Sequence, residues 1–508
     1  MINHLLSPLV QLPLLPLEIK KLTFHSQQSG PDSLFIAMPG QHSDGREYIS
    51  DVLAKGTLAV IYESTGADLK NLKKLAKAYP KALLLPINGL ANKLSILASH
   101  FYQNPSQDIR VIGVTGTNGK TTITHLLMQA YEYFGQACGV IGTLGYGVLQ
   151  NWQDFGLTTP DAILLQKILS EFRENKIATV AMEVSSHGLI QGRVNQVNFQ
   201  SAIFTNLTQD HLDYHGTMEV YGQAKRLLFE MPTLKQVVLN IDDAYTLEIL
   251  KIINPSIKIA SYSLKQNKIF RSVHPNTAYV MVESVDYHPA GLLAQVQTSW
   301  GNGVLKSKLI GEFNLSNLLA VLAELCLFGV PLEEALQTLS RLTAVKGRMQ
   351  RFGGTRTPQV IVDYAHTPDS LEQALKAARL HCKRKLWVVF GCGGNRDNTK
   401  RPTMGAIAGQ YADKIILTND NPRNENPNFI LDEIYAGLDE KDKKKVMIEP
   451  CRKTAIKMAI ERSLPVDVIL VAGKGHEEYQ LIGKDKIAFS DEKTVQQLLQ
   501  EVGGHVVS

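Results

Sequence analysis

Cysteine is scarce in this chain of 508 residues: there are five, Cys138, Cys326, Cys382, Cys392 and Cys451. They are odd in number, scattered and without metal-ligand spacing. That argues against a disulfide framework and reads as reduced thiols in a cytoplasmic protein. Long apolar runs are missing too. No stretch approaches the about 20 residues that span a bilayer, so no membrane insertion is expected. The N-terminus is rich in leucine but broken by Pro8, Pro13 and Pro16. It has no basic leader and no cleavage-like site, and does not read as a signal peptide. Excess charge is small. A net +5 over this length does not point to nucleic acid and fits a local basic site for an anionic ligand equally well. Internal repeats and low-complexity tracts are also lacking. What remains is 44% hydrophobic and 20% charged, enough for normal cores in about three domains.

The most informative stretch present is Gly113-Val114-Thr115-Gly116-Thr117-Asn118-Gly119-Lys120-Thr121-Thr122. An apolar, strand-like run precedes it, and a helix-like run over 123–134 follows, stopped by Gly135. Gly116 and Gly119 let backbone N–H groups turn toward phosphate oxygens. Lys120 supplies a point charge, the Thr121 hydroxyl suits Mg²⁺, and the helix start adds its partial positive charge. The strict Walker spacing would place glycine at 114, where this chain has Val114. The loop is therefore a variant P-loop, which disfavours ordinary GTPases and ATPase motors.

Residues 1–107 show short strand-like pieces at 33–38, 57–62 and 82–86 with helical segments between, a small α/β unit ending in a linker-like Asn104-Pro105-Ser106-Gln107. Residues 108–345 alternate strands (111–114, 178–184, 202–206, 236–240) with helices. They include a β-rich insertion at about 256–310 and a buried helix over 315–327. Residues 346–508 alternate again, with apolar runs at 360–363, 386–390, 414–418 and 468–472. Such runs suit parallel strands buried on both faces. The expected class is α/β in three domains.

The reactive-looking residues follow the C-terminal ends of these strands, where open α/β sheets hold their ligands. Glu183 sits where a Mg²⁺ ligand belongs beside a P-loop; a solvated strand-end glutamate is the plain alternative. His211 and His215 are four apart and would share a helix face. HExxH is absent, however, since Leu212 takes the glutamate position. A Mg²⁺-adjacent loop or simple helix capping by Asp210 fits this stretch better than zinc. Lys225 alone reads as a surface lysine. Arg348, after Gly347, can stabilise charge during transfer, and Asp363 can accept hydrogen bonds from ribose hydroxyls or serve a turn. Gly391-Cys392-Gly393-Gly394-Asn395-Arg396 with Lys400-Arg401 reads as an anion site carrying three cations. Arg396 and Arg423 can each grip a carboxylate. Glu477 can receive an ammonium. No Ser-His-Asp nucleophile set is present.

Together, residues 116–122, 183–188, 205–216, 225, 314–317, 347–348, 363–368, 391–396, 420–423 and 473–477 resemble the motifs of the Mur ligases of bacterial cell-wall synthesis, over nearly the whole chain. The resemblance implies an N-terminal α/β domain for the UDP moiety (1–107), a central P-loop ATPase domain with a mostly parallel sheet (108–345) and a Rossmann-like C-terminal domain for the amino acid (346–508). It implies that Gly116, Thr117, Asn118, Gly119, Lys120, Thr121 and Thr122 hold ATP. Thr121, Glu183, His211 and a carbamylated Lys225 would surround Mg²⁺, with Lys120, Glu183, His211, Lys225 and Arg348 carrying the chemistry. Asn317 would lie near adenine, Arg348 near the phosphates and Asp363 near ribose. Phe24, Ser26, Gln41, His42 and Ser43 match UDP-binding positions. Thr158, Thr159, Ser185, Gln191 and Arg193 match positions for the sugar-peptide. Arg396, Asp420, Asn421, Pro422, Arg423, Gly473 and Glu477 match the amino-acid site. Three positions depart from the family pattern: His25-Ser26-Gln27 replaces Asp-Ser-Arg, Leu157 precedes Thr158, and Gly192 separates Gln191 from Arg193.

The implied activity is addition of meso-diaminopimelate to UDP-MurNAc-L-Ala-D-Glu by a monomeric cytoplasmic enzyme. Asp420-Asn421-Pro422-Arg423 favours diaminopimelate over L-lysine, because a far carboxylate suits arginine and a bare ammonium does not. An L-lysine-adding ligase and a folylpolyglutamate synthase-like ligase are the alternatives.

Overall fold

A computed structural model describes residues 2–11, 17–40, 43–149, 151–266, 274, 276–354 and 356–502. Leu12, Pro13, Leu14, Leu15 and Pro16, and the UDP-site candidates Gln41 and His42, lie outside the described residues. The chain divides into two compact units. The first holds Met1–Lys120, Phe134–Val237 and Tyr245–Lys258; the second holds Thr121–Tyr133, Val238–Ala244 and Ile259–Ser508.

In the first unit, β1 (Lys21–Thr23), β2 (Ser33–Ala37), β3 (Ala59–Glu63) and β4 (Leu83–Ile87) form a parallel sheet in sequence order. β2 reads Ser-Leu-Phe-Ile-Ala and is buried at every position. Its alternate residues feed two cores: Leu34 and Ile36 pack with helix Leu90–Phe101, and Phe35 and Ala37 with Val52 and Leu72. Ile2, Leu5 and Leu6 of a short N-terminal helix join the first of these cores. The linker-like stretch proves to be packed. Pro105 and Ser106 are buried in a 3₁₀ turn, where the Ser106 hydroxyl donates to the Gln196 carbonyl and accepts from the Asn198 N–H.

The same unit contains β5 (Arg110–Thr115), β6 (Cys138–Gly142), β7 (Gly145–Val148), β8 (Asn151–Gln153), β9 (Thr179–Glu183) and β10 (Phe199–Phe204), in spatial order β10-β5-β9-β6-β7-β8. The four strands β10, β5, β9 and β6 are parallel, and β7 and β8 extend them antiparallel. Burial on both faces of β5 and β9 explains their continuous apolar runs. Two strands, β11 (Gln236–Asn240) and β12 (Lys258–Ser263), follow in the chain.

In the second unit, β13 (Ala278–His288), β14 (Gly291–Thr298) and β15 (Gly301–Ser307) form the β-rich segment, an antiparallel meander. A further sheet contains β16 (Gln350–Gly353), β17 (Gln359–Asp363), β18 (Leu386–Phe390), β19 (Lys414–Leu417), β20 (Val446–Ile448) and β21 (Val468–Ala472). Its order is β16-β17-β21-β18-β19-β20, parallel except for β16. Helices Pro368–Leu380, Lys400–Tyr411 and Pro427–Ala436 cover one face, and Arg452–Arg462 and Asp491–Glu501 the other. β17 shows the division: Ile361 enters one core, Val360 and Val362 the other. Thr367 and Ser370 form a capping box at the start of Pro368–Leu380, with proline in the first turn. A hairpin, β22 (Tyr479–Ile482) and β23 (Asp485–Ala488), completes the unit. Among the described residues, no helix is long and apolar enough to cross a membrane, and all five cysteines are free thiols.

Candidate active site

The glycine loop leaves β5 and enters helix Lys120–Tyr133. Gly116 and Gly119 have φ of +145° and +91°, which side chains resist. A Cβ on Gly116 would also collide with the Thr205 hydroxyl. The end of β10 braces the loop. Thr205 Oγ1 donates to the Asn118 carbonyl (2.6 Å), and Asn118 N–H donates to Asn206 Oδ1 (2.9 Å). Lys120 Nζ lies over the loop, donating to the Gly116 and Thr117 carbonyls at 2.9 and 2.8 Å. Thr121 and Thr122 are buried.

Lys225 is not a surface residue. It is 1% exposed, on helix Met218–Arg226. Its Nζ donates to the Gly116 carbonyl at 2.9 Å and stands 4.2 Å from the centroid of the Tyr221 ring. Burial pushes its pKa well below the ordinary lysine value, and the charge of Lys120 pushes it further. The structure thus brings Lys225 to the loop that sequence alone had isolated from it.

Glu183 closes β9 and is fully buried, so the solvated alternative fails. Its carboxylate accepts from Thr143 N–H (2.8 Å) and the Thr143 hydroxyl (3.0 Å). Nothing in the sequence marks Thr143. Around Glu183 the sugar-peptide candidates gather. Thr143 and Thr158 hydroxyls are 3.1 Å apart, the Thr159 hydroxyl donates to the Glu183 carbonyl, and Ser185 N–H donates to that hydroxyl. Arg193 donates to the Thr159 carbonyl and to Gln191. Gln191 donates to the Tyr214 hydroxyl. Gly188 is required here, since a side chain would meet Thr159 at 2.7 Å.

His211 does not share a helix with His215. It is the left-handed residue (φ +51°) just before helix Leu212–His215, paired with Asp210. The plain alternative, helix capping by Asp210, does not hold either: the N-cap is His211, and the Asp210 carboxylate accepts from the His211 backbone N–H rather than from the first turn of the helix. His187, missed in the sequence, packs between His211 and Tyr214. Burial, then the neighbouring His211, lowers its pKa to about 4. Phe24 packs on the N-terminal core, the Ser26 carbonyl accepts from Lys55, and Ser43 is exposed. Among the described residues, no group of three or more His, Cys, Asp or Glu is placed to hold a metal ion.

In the second unit the strand-end candidates fall as expected. Asp363 ends β17, with Oδ2 accepting from Met349 N–H and Oδ1 from Ala365 N–H. Burial raises its pKa, while the Arg348 charge and these two bonds oppose the rise. Arg348 lies over the Tyr364 ring (4.7 Å), and its buried Nε has no hydrogen-bond partner. Asn317 is buried in helix Glu312–Leu327 against Asn314. It shares no polar contact with Arg348 or Asp363 among the described residues.

After β18 and β19, the two arginine candidates flank Gly393. A Cβ there would lie 2.9 Å from an Arg423 guanidinium nitrogen and 3.9 Å from Arg396 Cγ. Arg423 has φ +52° and donates to the Gly394 carbonyl; Arg396 is exposed. Of the three expected cations, Arg401 is not available. It is buried and paired with Glu425 and Glu433. Lys400 donates to the His366 carbonyl. Asp420, Asn421 and Glu477 meet beside Gly473, whose φ of +118° admits no ordinary side chain. Lys474, which the sequence placed in the loop after β21 without a role, is sealed among them.

A glycine loop with a lysine, set between a parallel strand and a helix start, is the layout of a P-loop α/β protein. The model of the Mur ligase middle domain matches residues 114–325, and that of the Mur ligase glutamate ligase domain matches residues 347–475. The UDP-N-acetylmuramoyl-L-alanyl-D-glutamate--2,6-diaminopimelate ligase of Coxiella burnetii is 45% identical over 473 residues, 93% of this chain and 94% of that one. A solved structure of a ligase of that name is 33% identical, with a TM-score of 0.69 over 95% of both chains. A Thermotoga maritima MurF ligase in complex with ADP shares the fold at 15% identity, with a TM-score of 0.63 over 96% of this chain and 99% of that one. This chain belongs to the Mur ligase family.

Proposed function

We propose that this protein is the ATP-dependent ligase that joins meso-diaminopimelate to the D-glutamate of UDP-MurNAc-L-Ala-D-Glu, a cytoplasmic step of peptidoglycan precursor synthesis carried out by a monomer. Its domains are 1–107 for UDP, 108–345 for ATP and 346–508 for the amino acid. The γ-phosphate of ATP passes to the free D-glutamate carboxylate and gives an acyl phosphate. The amine of diaminopimelate then attacks, and phosphate leaves from a tetrahedral intermediate. Such transfer depends on positioning and charge neutralisation rather than on a protein nucleophile.

The P-loop residues 116–122 would bind the phosphates, and Asn317, Arg348 and Asp363 the rest of the nucleotide. The free Nε of Arg348 suits a phosphate oxygen. Thr158, Thr159, Ser185, Gln191 and Arg193 would hold the sugar-peptide, and Phe24, Ser26, Gln41, His42 and Ser43 the UDP. The donor set fits Mg²⁺. Glu183 is a fully buried carboxylate whose hydrogen-bond partners, Thr143 N–H and hydroxyl, are neutral, and a buried anion without a cation partner is costly. Glu183, His211, Thr121 and Lys225 as its carbamate would hold the ion, which when bound neutralises charge on the transferring phosphoryl group. Lys225 reaches the carbamate because burial favours its neutral amine. That amine adds to CO₂, forming an N–C bond and releasing a proton.

The observation that carries the choice of amino acid is the pair Arg396 and Arg423 about Gly393, beside the acidic Asp420–Glu477 cluster: cations for a far carboxylate, acids for a far ammonium. The test is phosphate release from ATP with UDP-MurNAc-L-Ala-D-Glu, offering meso-diaminopimelate and L-lysine separately. Release with diaminopimelate is expected; release with L-lysine alone overturns the assignment.

A further inference from the structure

Lys474 belongs to the loop after β21, between Gly473 and Gly475, and its side chain is 0% exposed. Its Nζ donates to Glu477 Oε2 at 2.9 Å and to Asn421 Oδ1 at 3.0 Å, and lies 3.6 Å from Asp420 Oδ1. Two further bonds close the network. Leu481 N–H donates to the same Asn421 oxygen (3.0 Å), and Asn421 Nδ2 donates to the same Glu477 oxygen (2.9 Å). The carboxamide of Asn421 therefore has one possible orientation: its oxygen takes two donors and its nitrogen faces Glu477. Glu477 Oε2 is likewise used twice, whereas Oε1 has no hydrogen-bond partner among the described residues. Glu477 is also the acid of the cluster that reaches solvent, at 18% exposed.

The charges behind this network are closed off. Arg452 is buried and joined to Asp491 by two bonds of 2.7 Å, and it donates to the Ala472 carbonyl at the end of β21. Three carboxylates, Asp420, Glu477 and Asp491, thus face two internal cations, Lys474 and Arg452. Of the three, Glu477 is the carboxylate that reaches solvent, through an Oε1 with no hydrogen-bond partner among the described residues, while burial raises the pKa of Asp420. Without Lys474, Asp420 and Glu477 would share a buried site as like charges, and Asn421 would keep only the Leu481 N–H of the two donors to its oxygen.

We propose that Lys474 is a positioning and specificity-determining residue, which locks Asn421 and Glu477 so that the site presents one uncompensated oxygen to the ammonium of the incoming amino acid. The inference rests on the reading that this site takes diaminopimelate. It deepens that reading by assigning recognition of the ammonium to a residue that does not itself touch it.

The experiment measures KM for all three substrates in full-length wild type, Lys474→Gln and Lys474→Ala, with melting curves to verify folding. Loss of charge-assisted hydrogen bonds predicts a rise in KM for diaminopimelate of about 10-fold or more. KM for ATP and for the UDP substrate should stay within about twofold of wild type, below the scale of a lost hydrogen bond. For Lys474→Ala, n-propylammonium replaces the missing amine and should restore part of the activity, whereas 1-propanol, of similar shape but uncharged, should not. An unchanged KM for diaminopimelate overturns the proposal. So does an equal rise in all three constants, or equal rescue by the alcohol. Turnover of diaminopimelate by the wild type tests the functional reading separately; its absence would overturn both.

Discussion

Among the described residues, two lysines are sealed inside this protein, one in each unit. Lys474 sits among carboxylates, with Glu477 at 2.9 Å and Asp420 at 3.6 Å. Lys225 has a carbonyl and an aromatic ring in contact, and the charge of Lys120 acts on it more strongly than the opposing charge of Asp210. Burial alone therefore does not decide what a lysine does. With acids beside it, a buried lysine is an internal counterion. With no acid in contact, burial favours the neutral amine.

The comparison can be broken at four places. The largest effect is expected at Asp491. Asp491→Ala strands Arg452 in the interior and should cost about 3–5 kcal/mol in urea denaturation, whereas Lys225→Met, which removes a buried amine with no acid in contact, should leave stability equal or higher. Next is activity. Lys225→Ala should lower phosphate release by about 10²–10³-fold, the scale for loss of a charge-stabilising group, and removing CO₂ and bicarbonate from wild type should lower it reversibly. Arg423→Ala should raise KM for diaminopimelate by about 10–100-fold, as for a lost charged hydrogen bond, with KM for ATP unchanged.

The smallest effect is a pH slope. Burial holds folded Lys225 below its unfolded value, so the unfolded chain binds the extra proton. In CO₂-free buffer this lysine should make stability climb with pH between its lowered folded value and about 10.4, by at most about 1.4 kcal/mol per unit. Lys225→Met should flatten the climb; an identical slope in both proteins would contradict a folded-state pKa of Lys225 lowered by burial.

Much of the fold was legible because it is local. Apolar runs at 236–240, 386–390 and 468–472 coincide with β11, β18 and β21. The glycine loop was readable because its glycines, lysine and threonines are contiguous. Glu183 and Asp363 close their strands and 420–423 follow β19, since burial on both faces favours polar residues at strand ends. What failed was long-range. Thr143 reaches Glu183 from another strand connection, Glu433 claims Arg401 from 32 positions away, and Ser106 is anchored by residues some 90 positions on. No spacing rule connects such pairs. The shared helix face that the spacing of His211 and His215 allowed is not formed, because His211 is left-handed just before the helix starts.

Gly393 gives the arginine pair a second variable besides charge. Its hydrogen leaves the space into which the Arg423 guanidinium settles. A methyl group in that space would tilt the fork while both positive charges persist. On the proposed function, bulk at this neutral position would retune the reach of the arginine pair toward a dicarboxylic substrate, and engineering of the site would begin there rather than at either arginine.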